Sequence, residues 1–376
     1  MSDHSSEPQI RSILKTLIMH PHNFTAEQAH QALHEIMSGL ATPAQISAFL
    51  VACRLHRKDA DPVIIASCGK VMQEHAVHVH FHDQALAEEI VDIVGTGGDG
   101  HNTFNVSTTA AIVAAGAGCK VAKIPNLPLQ KYVYRIQSYQ HGNRASSSSS
   151  GSADFLESYG CALTNVTSDL VPGMIAEHNF CFLFAEKYHP AMKNASKPRR
   201  EIGVPTIFNI LGPMSNPAKP KRSVVGVHSK WVGEFMIEAL KLSGAKRAMV
   251  VCGAEGLDEI SPAGETFTWT LSEDGQITFT AIHPTHDFGL QTHTLDSVRG
   301  GGPADNVQTL ERLLANELPE NNPILDFVLL NAAAVLVVAK KAQTFKEGVE
   351  IARAAIIDGR AKAALEGFKN DTQARN

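Results

Sequence analysis

The chain has 376 residues, of which 44% are hydrophobic, 19% charged and 6% aromatic. This is a globular composition with ample apolar material for a core, and it excludes a disordered chain, a collagen-like fibre and a long coiled coil. The net charge of −5 gives no overall attraction to nucleic acid or to an anionic membrane.

The compartment is predicted from the cysteines and the apolar runs. The six cysteines are scattered, with no two at C-x-x-C spacing, and the N-terminal segment lacks the basic and apolar regions of a signal peptide. The longest apolar run, Pro323 to Ala339, is interrupted by Asp326 and Asn331 and is short for a membrane span. We therefore expect a soluble cytosolic protein with reduced cysteines.

The first 75 or so residues predict a small helical domain, which we assign to residues 1–85. Thr25 to Gln28 has the spacing of a capping box, and Thr42-Pro43 and Asp61-Pro62 are typical helix starts. Gly39 is expected to end the first of these helices. The segment carries no obvious chemistry, so docking or dimerisation is its expected role.

Three histidines follow at alternating positions, His78, His80 and His82. On a strand they would share one face and could bind a metal ion. No carboxylate or cysteine at ligand spacing completes such a site. The pattern therefore favours a polar strand or linker.

From Glu89 onward short apolar runs alternate with helical patterns, which predicts a mostly parallel α/β sheet over residues 86–376. The predicted strands are Ile90–Val94, Lys120–Ala122, Phe182–Ala185, Ser223–His228 and Ala248–Cys252. The predicted helices are Ser107–Gly116, Ser152–Tyr159, Val232–Leu242 and Phe327–Ala342. In such folds ligands bind at the carboxyl ends of the strands.

A glycine-rich turn follows the first predicted strand. The four glycines between Gly95 and Gly100 would let backbone N–H groups converge on an anion, and the next helix adds its positive end. The turn is neither a Walker loop nor a G-x-G-x-x-G fingerprint. A tight structural turn is the alternative, but the number of glycines favours phosphate binding.

Three further polar segments each have two interpretations. The serine-rich run from His141 to Asp154 is either a flexible linker or a phosphate site. Arg199, in a basic segment, could hold a carboxylate through two hydrogen bonds, although composition alone favours a solvated helix face. The Asp258-Glu259 pair follows a predicted strand and is either a magnesium site or an ordinary acidic turn. Together the segments suggest a phosphorylated, magnesium-bearing substrate beside a second anionic group.

In order and spacing these segments resemble anthranilate phosphoribosyltransferases, a family of tryptophan biosynthesis, over roughly residues 10–370. The matching stretches are Gly95–Asp99, Asn105–Thr108, His141–Arg144, Ser147–Ser148, Gly151–Asp154, His189–Arg199, Thr206–Pro217 and Leu257–Ser261. The resemblance implies a small helical domain and a larger α/β domain, the fold shared with pyrimidine nucleoside phosphorylases. It also implies a homodimer formed through the helical domain, which gains helices from about residues 170–200.

The implied reaction joins anthranilate to 5-phosphoribosyl 1-diphosphate (PRPP) and releases pyrophosphate, with Mg²⁺ as cofactor. Carried over by position, the PRPP contacts are Gly95, Gly98, Asp99, Thr103, Asn105, Ser107, Thr108, Lys123, Ser147, Ser148 and Ser152. The implied metal ligands are Ser107, Asp258 and Glu259. Gly95, Asn143 and Arg199 would bind anthranilate, with Arg199 on its carboxylate. The implied catalytic residues are Lys123, His141, Asn143 and Arg199.

The sequence departs from the family at one place. The family runs from Val-Ala-Lys directly into His-Gly-Asn-Arg, whereas here 17 residues, Ile124 to Gln140, separate Lys123 from His141. The insertion contains three of the five tyrosines and no acidic residue. We hypothesise a retained intron or gene-model error, the alternative being a lineage-specific loop. Spliced message that contains these codons would contradict the first hypothesis.

Three alternatives to the transferase are open, and a feature of the sequence disfavours each of them. A pyrimidine nucleoside phosphorylase of the same fold is disfavoured by the His189-to-Arg199 segment. A non-enzymatic relative that binds nucleic acid is disfavoured by the net charge of −5. A form inactivated by the insertion is disfavoured because Asp258, Glu259 and Arg199 are retained.

Overall fold

The computed structural model describes residues 8–125 and 150–374. The helices of these residues are α1 (Ile10–Met19), α2 (Ala26–Met37), α3 (Pro43–Leu55), α4 (Pro62–Glu74), α5 (Gln84–Glu89), α6 (Val106–Gly116), α7 (Ser152–Ser158), α8 (Val171–His178), α9 (Ala185–Tyr188), α10 (Lys193–Ile202), α11 (Lys230–Leu242), α12 (Pro303–Leu314), α13 (Pro323–Val338), α14 (Phe345–Ile357) and α15 (Arg360–Gln373). The strands are β1 (Ile90–Gly95), β2 (Lys120–Lys123), β3 (Phe180–Phe182), β4 (Arg222–Gly226), β5 (Arg247–Gly253), β6 (Thr266–Leu271) and β7 (Ile277–Ile282).

The N-terminal helices begin where their capping residues predict. The Thr25 hydroxyl accepts a hydrogen bond from the Gln28 N–H at 3.3 Å, and the Gln28 side chain accepts one from the Thr25 N–H, which completes the capping box of α2. A second capping box starts α3 at Thr42. The Asp61 carboxylate accepts from the Val63 N–H at 3.0 Å and starts α4. These three predicted helix starts are confirmed. They could be predicted because local side-chain hydrogen bonds determine them.

The seven strands form one sheet in the order β3-β2-β1-β4-β5-β6-β7. Strands β1 to β5 are parallel, and β6 and β7 join antiparallel at one edge. The predicted class, a helical domain with a mostly parallel α/β sheet, is confirmed. The β6–β7 hairpin was not predicted.

Two predicted elements are displaced by two or more residues at both ends. The strand predicted at Phe182–Ala185 is observed at Phe180–Phe182, and a short helix begins at Ala185. Strand β3 lies at the sheet edge, where its partner β2 ends at Lys123 opposite Phe182, so the pairing cannot extend further. The helix predicted at Phe327–Ala342 is observed at Pro323–Val338, and it begins one turn earlier because the Asn322 side chain caps it.

The sheet separates two hydrophobic cores. Alternate residues of β4 face opposite ways: Val224 packs with the core of α6, α13, α14 and α15, and Val225 packs with the core of α2, α3, α4 and α11. The helical domain therefore continues directly onto one face of the sheet. Of the segment 170–200, α8 packs against α15 and the sheet, and α10 packs against α2 and α3.

The structure also places the three alternating histidines, the six cysteines and the apolar helices. The three alternating histidines, His78, His80 and His82, lie in an irregular segment, in agreement with a linker. All six cysteines are free and buried. Within residues 8–125 and 150–374, no helix is both long and apolar enough to cross a membrane.

Candidate active site

The candidate site lies where the sheet order reverses. Strands β1 and β4 are neighbours, yet the chain leaves β1 toward β2 on one side and reaches β4 and β5 on the other. A crevice forms outside the carboxyl ends of parallel strands at such a point. The glycine-rich turn follows β1, and the Asp258-Glu259 loop follows β5. The fold thus brings together two segments that the sequence separates by about 160 residues.

The Asp258 loop packs directly on the ends of β1 and β4. A Cβ atom at Gly226 would lie 1.6 Å from the Asp258 carbonyl oxygen, and one at Gly95 would lie 2.3 Å from Asp258 Oδ2. The Gly97 N–H donates a hydrogen bond to the same carboxylate oxygen at 2.6 Å. Gly95 and the Gly97 N–H therefore fix the position of this carboxylate, and Gly226 leaves room for the backbone of the same residue.

Three carboxyl groups, those of Asp99, Asp258 and Glu259, concentrate acidic side chains at the site. Asp258 and Glu259 are each 9% exposed. Burial, together with the charge of the neighbouring Asp99, raises the pKa of Asp258 to about 7. Burial and the charge of Asp258 raise the pKa of Glu259 well above its usual value, against the opposing effect of Lys123. Burial of several carboxylates in one place lowers the stability of the folded chain unless a cation compensates their charge.

Lys123 lies at the end of β2 and connects the two sides of the site. Its ammonium donates to the Ile93 carbonyl at 2.6 Å and to the Ser107 hydroxyl at 3.4 Å. The side chain is buried, and burial lowers its pKa while Asp92, Glu259 and Asp258 raise it. The structure therefore brings three predicted residues, Lys123, Ser107 and Glu259, into one electrostatic group.

Sequence reasoning missed two residues that support Lys123. Asp92 is fully buried in β1, where burial raises its pKa to about 6 although Lys123 and Asn216 oppose that change. Asn216 donates to Asp92 Oδ2 and to the Ala122 carbonyl, both at 2.8 Å. An acidic residue inside the apolar run Ile90–Val94 was the available signal for Asp92.

The rest of the glycine-rich loop is held by the segment before α12. Thr103 pairs with Arg299 in an isolated antiparallel bridge, and a Cβ atom at Gly300 would lie 2.6 Å from the Thr103 carbonyl oxygen. Gly98 has a φ of +85°, a conformation that favours glycine, and Asp99 follows it, with its carboxylate accepting from the His101 N–H at 3.2 Å.

Asn105, a predicted contact residue at the start of α6, is bonded to two other segments. The Asn105 amide donates to the Ser150 carbonyl at 2.9 Å and accepts from the Asn306 side chain at 2.8 Å. Thr108 is fully buried in α6. Ser152 is the first residue of α7, directly beyond the Ser150 contact. His141, Asn143, Ser147 and Ser148 lie outside the described residues.

Arg199 lies on α10, within the helical part of the fold. It is 3% exposed, and its guanidinium carbon is 4.6 Å from the centre of the Phe208 ring. It is thus not the solvated cation that composition alone favours. A buried guanidinium beside an aromatic face suits a planar carboxylate on an aromatic ring.

The donor set at the sheet fits a magnesium ion. Asp258, Glu259 and Ser107 supply carboxylate and hydroxyl oxygens, which Mg²⁺ prefers. Burial, and after it the repulsion from neighbouring carboxylates, raises the pKa values of both groups, and a divalent cation would offset both effects. Beside them, the glycine-rich turn presents backbone donors suited to phosphate. The site can therefore bind a magnesium-bearing phosphorylated ligand.

Fold and site together define a glycosyltransferase with a helical bundle domain. Residues 11–76 match the helical bundle domain of the glycosyl transferase family, and residues 87–130 and 136–362 match its a/b domain. Anthranilate phosphoribosyltransferase of Schizosaccharomyces pombe is 42% identical over 97% of this chain and 98% of its own length. The anthranilate phosphoribosyltransferase of Aquifex aeolicus is 41% identical over 92% of this chain and 94% of its own length. The chain belongs to the anthranilate phosphoribosyltransferase family.

Solved structures agree with this assignment. The anthranilate phosphoribosyltransferase from Saccharomyces cerevisiae in complex with PRPP and Mg superimposes with a TM-score of 0.85 at 33% identity, covering 99% of both chains. The enzyme from Thermus thermophilus gives a TM-score of 0.82 at 35% identity, covering 96% of this chain and 99% of its own.

Proposed function

We propose that this chain transfers the 5-phosphoribosyl group from PRPP to the amine of anthranilate. The amine nitrogen forms a bond to the ribose anomeric carbon as the bond from that carbon to the pyrophosphate oxygen breaks; pyrophosphate leaves with the electron pair, and the nitrogen loses one proton to water. The observation that carries the proposal is the buried Asp258-Glu259 pair held against a glycine-rich turn at the switch point of the sheet.

The roles of individual residues follow from the difficulty of the reaction, which is the departure of a highly charged leaving group. The aromatic amine is neutral at pH 7, so a strong base is not needed. Asp258, Glu259 and Ser107 would hold Mg²⁺, which neutralises charge on pyrophosphate. The glycine-rich turn would bind the phosphates, and the Lys123 ammonium would complement their charge. Correct relative placement of the two substrates supplies much of the rest.

The direct test is the loss of anthranilate fluorescence when the purified chain is mixed with PRPP and Mg²⁺. We expect a loss that depends on all three components and stops when EDTA is added. If the folded full chain does not consume anthranilate, deletion of residues 124–140 should restore the activity, because the insertion interrupts a motif of the site. No activity from either form would contradict the proposal, and phosphate-dependent cleavage of uridine or thymidine would support a phosphorylase instead.

Arg199→Lys is expected to raise the KM for anthranilate by roughly 10- to 100-fold. The reason is that lysine cannot form the two parallel hydrogen bonds that a guanidinium makes with a carboxylate, a loss of about 1.5–3 kcal/mol. Steady-state kinetics with each substrate varied in turn measures the effect. The KM for PRPP should not change.

The matched control is Arg200→Lys, because Arg200 is the exposed neighbour of the buried Arg199 on the same helix. We expect its KM for anthranilate to equal that of the unaltered chain. An equal rise in both variants, or an equal rise in the two KM values of Arg199→Lys, would contradict a role of Arg199 at the anthranilate carboxylate.

We further propose a cytoplasmic homodimer formed through the helical domain. Large apolar side chains are exposed on that part of the fold: Ile18, Met19, Leu40, Val51, Leu55 and Val63. Their burial against a second copy would remove apolar surface from water. Free cysteines fit a reducing compartment. Sedimentation equilibrium tests the dimer, and a monomer at micromolar concentration would contradict it.

A further inference from the structure

A buried asparagine in α13 contacts the backbone beside the proposed metal ligands. Asn331 Oδ1 accepts a hydrogen bond from the Ile260 N–H at 3.0 Å. Asn331 Nδ2 donates to the Ile260 carbonyl at 3.3 Å and to the Phe327 carbonyl at 3.0 Å. The amide oxygen and both amide hydrogens therefore have partners, and the side chain is fully buried.

The contact fixes the backbone that follows Glu259. One side chain binds both the N–H and the carbonyl of Ile260, so it restrains the peptide planes on either side of that residue. The hydrogen bond to Phe327 ties the same amide to its own helix, one turn earlier. Rigid α13 thereby holds the loop on the carboxyl-terminal side of the carboxylate pair. Gly97 and Gly226 hold the other side through Asp258.

Asn331 is a polar residue in an apolar helix, and only one of its three hydrogen bonds stays within that helix. Its neighbours Leu330 and Ala332 are fully buried, as is most of α13. A polar group in such a place is tolerated only when it is hydrogen-bonded. Two of its three bonds reach outside the helix, and both go to the residue directly after Glu259. The loop, and not the helix, accounts for an asparagine at this position.

We propose that Asn331 is a positioning residue that holds the Asp258-Glu259 loop in the geometry that binds Mg²⁺ with a pyrophosphoryl group. The inference rests on the proposed function. Groups that orient metal ligands without touching the metal typically contribute about 10- to 100-fold to its affinity. Asn331 acts on the ligands through the Ile260 backbone.

The test is a melting experiment that needs no turnover. The stabilisation of the chain by pyrophosphate is measured as Mg²⁺ is raised, for the unaltered protein and for Asn331→Leu, which has a similar volume and no hydrogen bonds. We expect the half-saturating Mg²⁺ concentration to rise about tenfold in the variant. In activity assays the same shift should appear, excess Mg²⁺ should recover kcat, and the KM for anthranilate should not change.

The control is Asn322→Ala in the same helix. Asn322 caps α13 by accepting from the Ile324 N–H at 3.0 Å and does not touch the loop. Its loss should lower the melting temperature and leave the half-saturating Mg²⁺ concentration unchanged. Should Asn331→Leu not fold, Asn331→Ser, which is too short to bind both Ile260 groups, is measured in its place.

Three results bear on the inference. The tenfold shift in the Asn331 variant alone supports it, and equal half-saturating Mg²⁺ in the Asn331 and Asn322 variants overturns it. If pyrophosphate with Mg²⁺ does not stabilise even the unaltered chain, both the inference and the roles of Asp258 and Glu259 are overturned. Normal stabilisation, with no transfer to anthranilate by either the full chain or the form that lacks residues 124–140, overturns the proposed function alone.

Discussion

Asp258→Asn is expected to lower kcat/KM by about 10³-fold and to raise the melting temperature of the metal-free protein. The loss arises because one of two carboxylates proposed to hold Mg²⁺ is removed, which costs several kcal/mol of transition-state stabilisation. The gain in stability arises because burial of the Asp258 carboxylate, and its repulsion by Asp99 and Glu259, disfavour the charged group in the folded chain. Asparagine keeps an oxygen that can accept from the Gly97 N–H.

The gain in stability of metal-free Asp258→Asn should increase with pH. The pKa of Asp258 rises from its ordinary 3.8 to about 7 in the folded chain. A carboxyl group with a higher pKa in the folded state destabilises folding progressively as pH rises from about 4 to about 7, and the cost is then constant. The advantage of asparagine should therefore be absent at about pH 3–4 and greatest above about pH 7.

Thermal unfolding in EDTA across this pH range measures the effect, with Glu265→Gln as the control. Glu265 is an exposed acidic residue shortly after the same loop, so its replacement changes the charge equally without relieving buried repulsion. Equal stabilisation by the two variants would contradict the claim that the charged Asp258 carboxylate lowers the stability of the folded chain. Full activity of Asp258→Asn would contradict a functional role of that carboxylate.

The sequence predicted those parts of the fold that local chemistry determines. The capping residues Thr25, Thr42 and Asp61 start helices through bonds to groups two or three residues away, so single-sequence reasoning finds them. The end of β3 depends instead on where its partner β2 stops at Lys123, which no local pattern records. The β6–β7 hairpin was missed although its strands are rich in threonine and aromatic residues.

The site was predictable in its parts and not in its assembly. The glycine-rich turn and the Asp258-Glu259 pair both stand out as motifs, but their contact comes from the strand order and is absent from either segment alone. Asp92 and Asn331 are polar residues inside apolar runs, a signal that marks them as unusual without identifying their partners. Their partners, Asn216 and Ile260, are far away in the sequence.

Gly226→Ala is expected to reduce kcat/KM by about 100-fold or more and to lower the melting temperature. The backbone of Gly226 does not need a positive φ, so alanine is conformationally allowed. The new methyl group would, however, lie 1.6 Å from the Asp258 carbonyl oxygen. Either β4 or the Asp258 loop must move by more than about 1 Å, and a displacement of that size at reacting groups costs about 100-fold in rate.

Gly173→Ala supplies the matched control for this substitution. Gly173 lies in α8, where an added Cβ atom meets nothing within 4 Å, so alanine should leave activity unchanged and raise the melting temperature slightly. The decisive readout for Gly226→Ala is the Mg²⁺-dependent stabilisation by pyrophosphate in a folded sample. If the variant keeps both this stabilisation and normal activity, the loop does not need its observed position. Loss of both readouts from a sample that is still folded would show that the contact between β4 and the Asp258 loop positions the carboxylates for catalysis.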